Sequence, residues 1–143
     1  MFNGNNLTND LRSEETAKLA SELSALKDTR ANLLGIQRAL NNELGLVADG
    51  RDMGTVVFPN AANKFFLTAT AEIRAKRRFL ELQNRGQEVN MRDLIDDIKH
   101  RDLADQSREL SPLLPAADAT VIDTSNMSLE EVFNFTKKLI KGN

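Results

Sequence analysis

Residues 46–59 (LVADGRDMGTVVFP) constrain the fold of this chain more than any other stretch. They begin with an apolar run, residues 46–48, that is typical of the end of a buried parallel strand. Asp49 follows where that strand would end, and a glycine then allows a sharp turn before Arg51 and Asp52. Open parallel sheets bind ligands just outside the carboxyl ends of their strands. The stretch therefore predicts a strand of an α/β fold with a charged, polar ligand at its end.

The same charges also fit a surface turn that binds nothing. In that alternative, Arg51 pairs with its sequence neighbours Asp49 or Asp52. Local chemistry does not separate the two interpretations.

Short apolar segments alternate with helical patterns along the rest of the chain. Two further strands are predicted at residues 64–67 and 120–122, and the alternation favours an α/β three-layer fold with a parallel sheet. Five helices are predicted from their capping residues: from Asp10 or Ser13 to Leu26, from Asp28 or Thr29 to Asn41, from Thr70 to near Gly86, from Asn90 to Ser111, and from Ser128 onward.

Three of these helices carry apolar stripes that we expect to be buried. The stripes are Leu19, Leu23 and Leu26 in the first helix, Leu33, Ile36 and Leu40 in the second, and Leu129, Val132, Phe133 and Leu139 or Ile140 in the last.

Composition narrows the class of protein. A net charge of −2 over 143 residues argues against a nucleic acid polymer or an anionic membrane as partner. No apolar run approaches the ~18 residues that span a bilayer. The absence of cysteine excludes disulfides and thiolate metal sites and is typical of the cytosol. A single cytoplasmic domain is therefore expected.

Residues 48–59 (ADGRDMGTVVFP) resemble the signature of the bacterial cytidylate kinases (CMP kinases), which belong to the nucleoside-monophosphate kinase group. Other segments match the family in the same order: Ala71-Glu72 with Arg77-Arg78, Ile98-Lys99 with Arg101-Asp102, and residues 112–118 (PLLPAAD). The resemblance runs through essentially the whole chain. It implies the family's P-loop fold and its reaction, transfer of the ATP γ-phosphate to CMP or dCMP to give CDP or dCDP.

The resemblance implies roles for the signature residues and for two residues upstream. Arg51 corresponds to the family's contact with the CMP phosphate, and Asp52 to a residue that helps to read cytosine. Asp49 is open between binding a Mg²⁺-coordinated water and orienting an arginine. Ser21 and Arg30 correspond to the family's cytosine-binding pair, although alone they fit exposed helix residues.

Arg101, Asp105 and Arg108 are spaced so that they share one helical face. Taken alone they fit a surface ladder of ion pairs, each worth ~0.5 kcal/mol. The resemblance implies that Asp105 accepts from the ribose hydroxyls while Arg101 and Arg108 reach phosphate or base.

A strongly basic segment, Arg74 to Arg78, fits a solvated helix surface when taken alone. The resemblance implies instead that it leads into a mobile lid. Arg77 and Arg78 would then neutralise charge on the transferring phosphoryl group, a role that can be worth ~10³-fold or more in rate.

No GxxxxGK[ST] segment occurs in these 143 residues, although the family opens with this phosphate-binding loop. We therefore expect a partial kinase domain that lacks the first strand and the loop. Its expected parts are residues 1–44 (CMP-binding helices), 45–76 (core strands), about 77–90 (lid) and 91–143 (C-terminal core). Mg²⁺ with ATP is implied by the reaction class alone, since no dedicated metal-ligand cluster stands out.

In the family, the strand before the loop lies in the middle of the sheet. Without it, the strands at residues 46–48 and 64–67 are expected to lack their shared neighbour and to leave apolar surface or strand edges unpaired. A complementary N-terminal fragment is thus a candidate partner. The alternatives are a non-catalytic nucleotide-binding or interaction protein and a decayed, poorly folded remnant.

Overall fold

The computed structural model describes residues 13–142 together with Leu7 and Leu11. The predicted cap Asp10 lies outside these residues. The described part contains five α-helices, two strands and one π-helical turn, in the order α1 (Glu14–Ser24), α2 (Lys27–Ala39), the π-turn (Met53–Val57), β1 (Phe65–Thr68), α3 (Ala71–Asn84), α4 (Met91–Ser107), β2 (Thr120–Asp123) and α5 (Leu129–Lys141). None of these helices is both long and apolar enough to cross a membrane.

The two strands form a parallel pair, which confirms the α/β class. Phe65 lies opposite Thr120, and the register continues to Thr68 opposite Asp123. The helical hairpin α3–α4 makes the crossover between them, as parallel strands require. At the carboxyl end, the Thr124 amide extends the ladder by donating to the Thr68 carbonyl at 2.8 Å.

Side-chain caps begin α1, α3, α4 and α5 where the sequence predicts them. The predicted start of α2 at Asp28 or Thr29 was wrong, because the N-cap is Leu26, which makes no side-chain cap hydrogen bond, and Asp28 lies inside the first turn. Thr70 and Asn90 accept hydrogen bonds from amides in the first turns of α3 and α4. At α5, Ser128 and Glu131 form both halves of a capping box. The Ser128 amide donates to the Glu131 carboxylate, and this contact, with that of the Ser128 hydroxyl, lowers the pKa of Glu131.

The main packed cluster lies between α3 and α4. Ala75 and Leu82 of α3 are buried against Leu94 of α4, and five partly buried side chains surround them: Phe79, Val89, Met91, Ile95 and Ile98. The hairpin turns at Gly86, whose φ of +73° lies in the left-handed region. Part of this cluster therefore comes from residues 77–90, the segment predicted to form a lid.

The strand predicted at residues 46–48 does not form. These residues have no strand hydrogen bonds, and Val47 is fully exposed. A parallel strand needs a neighbour to satisfy its backbone groups, and in the described sheet β1 pairs only with β2. The apolar run Leu46-Val47-Ala48 therefore remains an irregular segment leading into Arg51.

The predicted apolar stripes are largely exposed. Leu19 and Leu23 of α1, all three predicted core residues of α2, and Leu129, Phe133 and Ile140 of α5 are exposed, as is Leu26 between α1 and α2. Val132 and Leu139 of α5 are half-buried. The helical periodicity was correct, but a stripe is buried only where another element packs against it, and the described residues supply no element that covers these faces.

Leu82→Ala should destabilise the α3–α4 cluster by ~2–5 kcal/mol, because Leu82 is only 2% exposed and its removal leaves a cavity. Leu129→Ala is the matched control, since Leu129 is 88% exposed, and should change stability by less than ~0.5 kcal/mol. Urea unfolding followed by circular dichroism measures both. Equal losses in the two variants would contradict this assignment of the core.

A second prediction concerns acid stability. Lys64, which precedes β1, donates to both carboxylate oxygens of Asp118 at 2.8 and 2.7 Å. These hydrogen bonds lower the pKa of Asp118. The contact therefore contributes stability above the unfolded-state aspartate pKa of about 3.9, and this contribution is lost as the pH falls through the lowered folded-state value.

Asp118→Asn should consequently lower the urea midpoint at pH 6, and the gap to the unmodified chain should shrink below about pH 4. Urea titrations of both proteins between pH 6 and pH 2.5 test this. A difference in urea midpoint that stays constant over this pH range would show that the Lys64–Asp118 contact does not contribute pH-dependent stability.

Candidate functional site

Arg51 and Asp52 do not pair with their sequence neighbours. Arg51 forms an ion pair with Asp105 of α4, and Asp52 forms one with Arg30 of α2. The local pairing assumed in the surface-turn alternative is therefore wrong, because both side chains reach across to helices distant in sequence. Asp49 is exposed, at the end of the irregular segment.

Asp105 is the centre of the site. It is only 1% exposed, the deepest burial of any charged side chain among the described residues. Three arginines surround its carboxylate: Arg51, Arg108 with Nη2 at 3.0 Å from Oδ1, and Arg101 with Nε at 4.0 Å from Oδ2. A buried carboxylate is costly unless paired, so this excess of cations stabilises it and is in turn held in place by it.

Two arginines of α2 bind the π-turn, one at each of its ends. Arg30 holds Asp52, where the π-turn begins, and the Asp52 carbonyl accepts from the Val56 and Val57 amides at 2.9 and 3.2 Å. At the far end, Arg38 donates from Nε to the Val57 carbonyl at 2.9 Å and from Nη2 to the Val56 carbonyl at 3.0 Å. The π-turn is thus fixed by side chains as well as by its own backbone.

One cleft of about 460 Å³ unites all seven residues predicted to bind substrate. Its polar lining includes Ser21, Arg30, Arg51, Asp52, Arg101, Asp105 and Arg108. Four arginines face two aspartates, so the cleft carries two positive charges in excess. Side chains of α1, α2 and the π-turn supply an apolar side, among them Leu23, Leu33, Leu34, Val56 and Val57.

A second cleft of about 410 Å³ adjoins the first, and Arg51 and Arg101 line both. The second cleft adds Arg74 and Arg78 of α3. Arg74 is bound in bidentate fashion by Asp102, which raises the pKa of the guanidinium, and Arg78 pairs with Glu81 at 2.8 Å. The two clefts therefore share Arg51 and Arg101 in their linings.

Arg77 and Asp49 line neither cleft. Arg77 points instead to the loop after β2, where it donates to Thr124 Oγ1 at 3.1 Å and to the carbonyls of Thr124 and Met127 at 2.5 and 3.2 Å. The structure thus separates the predicted pair Arg77 and Arg78.

Within the described part of the chain, no three His, Cys, Asp or Glu side chains come together as a metal-ligand group. Asp49 offers a single carboxylate. Mg²⁺ is commonly held by one or two carboxylates together with substrate phosphates, so a lone aspartate fits an ion that arrives with a nucleotide.

Two contacts of the site involve residues that no sequence pattern singles out. Arg38 fixes the π-turn, and the Ser24 hydroxyl accepts from Arg108 Nη1 at 2.7 Å. Neither residue stands out in sequence, because an arginine or a serine near a helix end is commonly a surface residue. Only the approach of α1 and α2 to distant segments gives these residues partners.

Asp105→Asn should destabilise the fold near the lower end of ~3–5 kcal/mol, because it leaves three arginines without their carboxylate while two of them, Arg51 and Arg101, partly reach water. Asp96→Asn on the exposed face of α4 is the control and should be nearly neutral. Chemical unfolding measures the difference. Similar stabilities for the two variants would refute the view of Asp105 as the electrostatic centre.

Comparisons with known proteins identify one family. The sequence model of the Cytidylate kinase family matches residues 1–142. The chain is 49% identical over 132 residues to a cytidylate kinase of Caldicellulosiruptor saccharolyticus, covering 92% of this chain and 58% of that protein. It is 51% identical to one from Photobacterium profundum, with the same coverage, and 50% identical to one from Colwellia psychrerythraea over 94% of this chain and 59% of the relative.

The chain thus spans about three fifths of the length of the curated relatives that it matches. The family match covers every described helix and strand, from α1 to α5. By its sequence, the chain belongs to the cytidylate kinase family.

Proposed function

We propose that the first cleft binds CMP or dCMP and that the protein takes part in transfer of the ATP γ-phosphate to that nucleotide. The observation that carries the proposal is the convergence of seven predicted substrate-binding residues on one cleft with two excess positive charges. A phosphate monoester carries close to two negative charges at neutral pH, so its charge complements the cleft. The relatives bear the name cytidylate kinase, which points to the same nucleotide.

The phosphate end of the nucleotide is proposed to lie at Arg51 and Arg101. Both arginines line the two clefts, and a guanidinium can bind phosphate with two parallel hydrogen bonds. The base is proposed to lie toward α1 and α2, where Ser21, Arg30 and Asp52 offer donors and acceptors beside apolar side chains. Arg108 supports this arrangement because its buried Nε has no hydrogen-bond partner among the described residues.

The donor phosphates are proposed to enter by the second cleft. Arg78 lines it and is the better candidate to neutralise the transferring group, because Arg77 donates to the loop after β2. In the reaction, an oxygen of the CMP phosphate attacks the ATP γ-phosphorus, the bond to the β-γ bridging oxygen breaks, and ADP leaves. Mg²⁺ bound with ATP would neutralise phosphate charge, with Asp49 as the residue that could hold one of its waters.

The fold and its parts follow as proposals from the family. The parallel pair β1–β2 is proposed to belong to a P-loop nucleoside-monophosphate kinase sheet. The proposed division is residues 1–44 for the CMP-binding helices, 45–76 for core strands, about 77–90 for the lid and 91–143 for the C-terminal core. A complementary N-terminal segment bearing the glycine loop is the proposed partner in catalysis.

Titration of the 143-residue chain by calorimetry tests the nucleotide proposal. We expect CMP to bind more tightly than UMP or AMP. Arg51→Met should weaken CMP binding by about 10–100-fold, because a charge-assisted contact to phosphate is lost, and should affect cytidine, which lacks the phosphate, much less. Arg92→Met, which removes an exposed arginine of α4, is the control and should leave the affinity unchanged.

A phosphorylation assay with ATP accompanies the titration, with the chain alone and with a separately expressed segment that carries the glycine loop. Turnover only with the added segment supports the division of labour proposed here. Turnover by the chain alone would show that another element replaces the glycine loop. No CMP binding under either condition would overturn the proposed function.

A further inference from the structure

Arg108 is held across the cleft by contacts on two sides. It is the C-terminal cap residue of α4, and its side chain is 11% exposed. Nη2 pairs with Asp105 of its own helix, while Nη1 donates to the Ser24 hydroxyl at the end of α1 at 2.7 Å. Asp105 alone would leave the guanidinium free to pivot about one contact, so the second contact fixes the direction of its plane.

The Ser24 hydroxyl is oriented to receive this hydrogen bond. Its own proton is donated to the Ser21 carbonyl at 2.8 Å, which leaves a lone pair for Arg108. The Ser24 carbonyl also accepts from Arg30 Nη1 at 3.1 Å. One serine that lines the cleft therefore contacts three of its seven predicted binding residues, and these come from three helices.

We propose that Ser24 is a positioning residue that orients the Arg108 guanidinium and thereby couples the α1–α2 pair to α4. The hydroxyl acts through Arg108. The identity of the ligand rests on the proposed function, whereas the orientation of Arg108 does not. Without the Ser24 hydroxyl, Arg108 keeps its ion pair with Asp105 but no longer has a fixed direction across the cleft.

The substitution Ser24→Ala isolates this role, because it removes the hydroxyl and leaves the carbonyl contact with Arg30 intact. Ser107→Ala is the matched control. Ser107 lies near the end of α4, and its hydroxyl makes the same type of bond to the carbonyl three residues earlier, at 3.5 Å, but it is exposed and outside the cleft. Ser24→Thr retains a hydroxyl and should therefore preserve most of the hydrogen bond that orients Arg108.

The first measurement uses the chain without ligand. Thermal unfolding is compared for Ser24→Ala, Arg108→Met and the double variant, and the Arg108 Nε–H resonance is followed by NMR. We expect Ser24→Ala to lower Tm by about 4 °C in the unmodified background, to change it little in the Arg108→Met background, and to shift the Arg108 resonance. Additive Tm changes, or a resonance that moves no more than in Ser107→Ala, would overturn the proposal.

The second measurement is CMP titration of the same variants. Ser24→Ala should weaken binding about tenfold, with Ser107→Ala unchanged and Ser24→Thr close to the unmodified chain. Unchanged affinity in Ser24→Ala would overturn the positioning role. If the unmodified chain binds no CMP, the proposed function fails, and the ligand-free cycle alone decides whether Ser24 orients Arg108.

Discussion

The site depends on a carboxylate that is almost completely removed from water. Asp105 is only 1% exposed, and the burial of a carboxylate is costly unless cations pair with it, as Arg51, Arg101 and Arg108 do here. Arg51 follows the irregular segment, whereas Arg101 and Arg108 belong to α4. The buried carboxylate of Asp105 therefore holds the irregular segment against α4. Because four arginines line the cleft beside two aspartates, the cleft keeps an excess of two positive charges.

A second layer of contacts fixes the direction of these charges. Helix α2 holds the π-turn through Arg30 and Arg38, and α1 holds Arg108 through Ser24. Bidentate or two-sided contacts of this kind restrict a guanidinium far more than a single ion pair does, since its donors form a rigid fork. The first two helices therefore act mainly through polar contacts, which is consistent with the exposure of their leucine stripes.

Local signals predicted the elements well wherever the determining contacts are close in sequence. Thr70, Asn90 and Ser128 begin their helices as expected, because a cap needs only the next turn of backbone. The positions of β1 and β2 also follow from their local apolar runs, whereas their pairing joins segments distant in sequence. The prediction of a strand at residues 46–48 was wrong because a strand needs a neighbour, and no local pattern reports whether one is present.

The sequence by itself determined the α/β class, the starts of four of the five described helices and, through the resemblance to the family, seven of the residues that line the first cleft. The tertiary structure alone decided that Arg51 pairs with Asp105, that Arg77 turns to the loop after β2, and that Ser24 and Arg38 take part at all. The reason is range. Periodicity and capping depend on residues within one or two turns, whereas ion pairs and burial depend on segments that meet only when the chain folds.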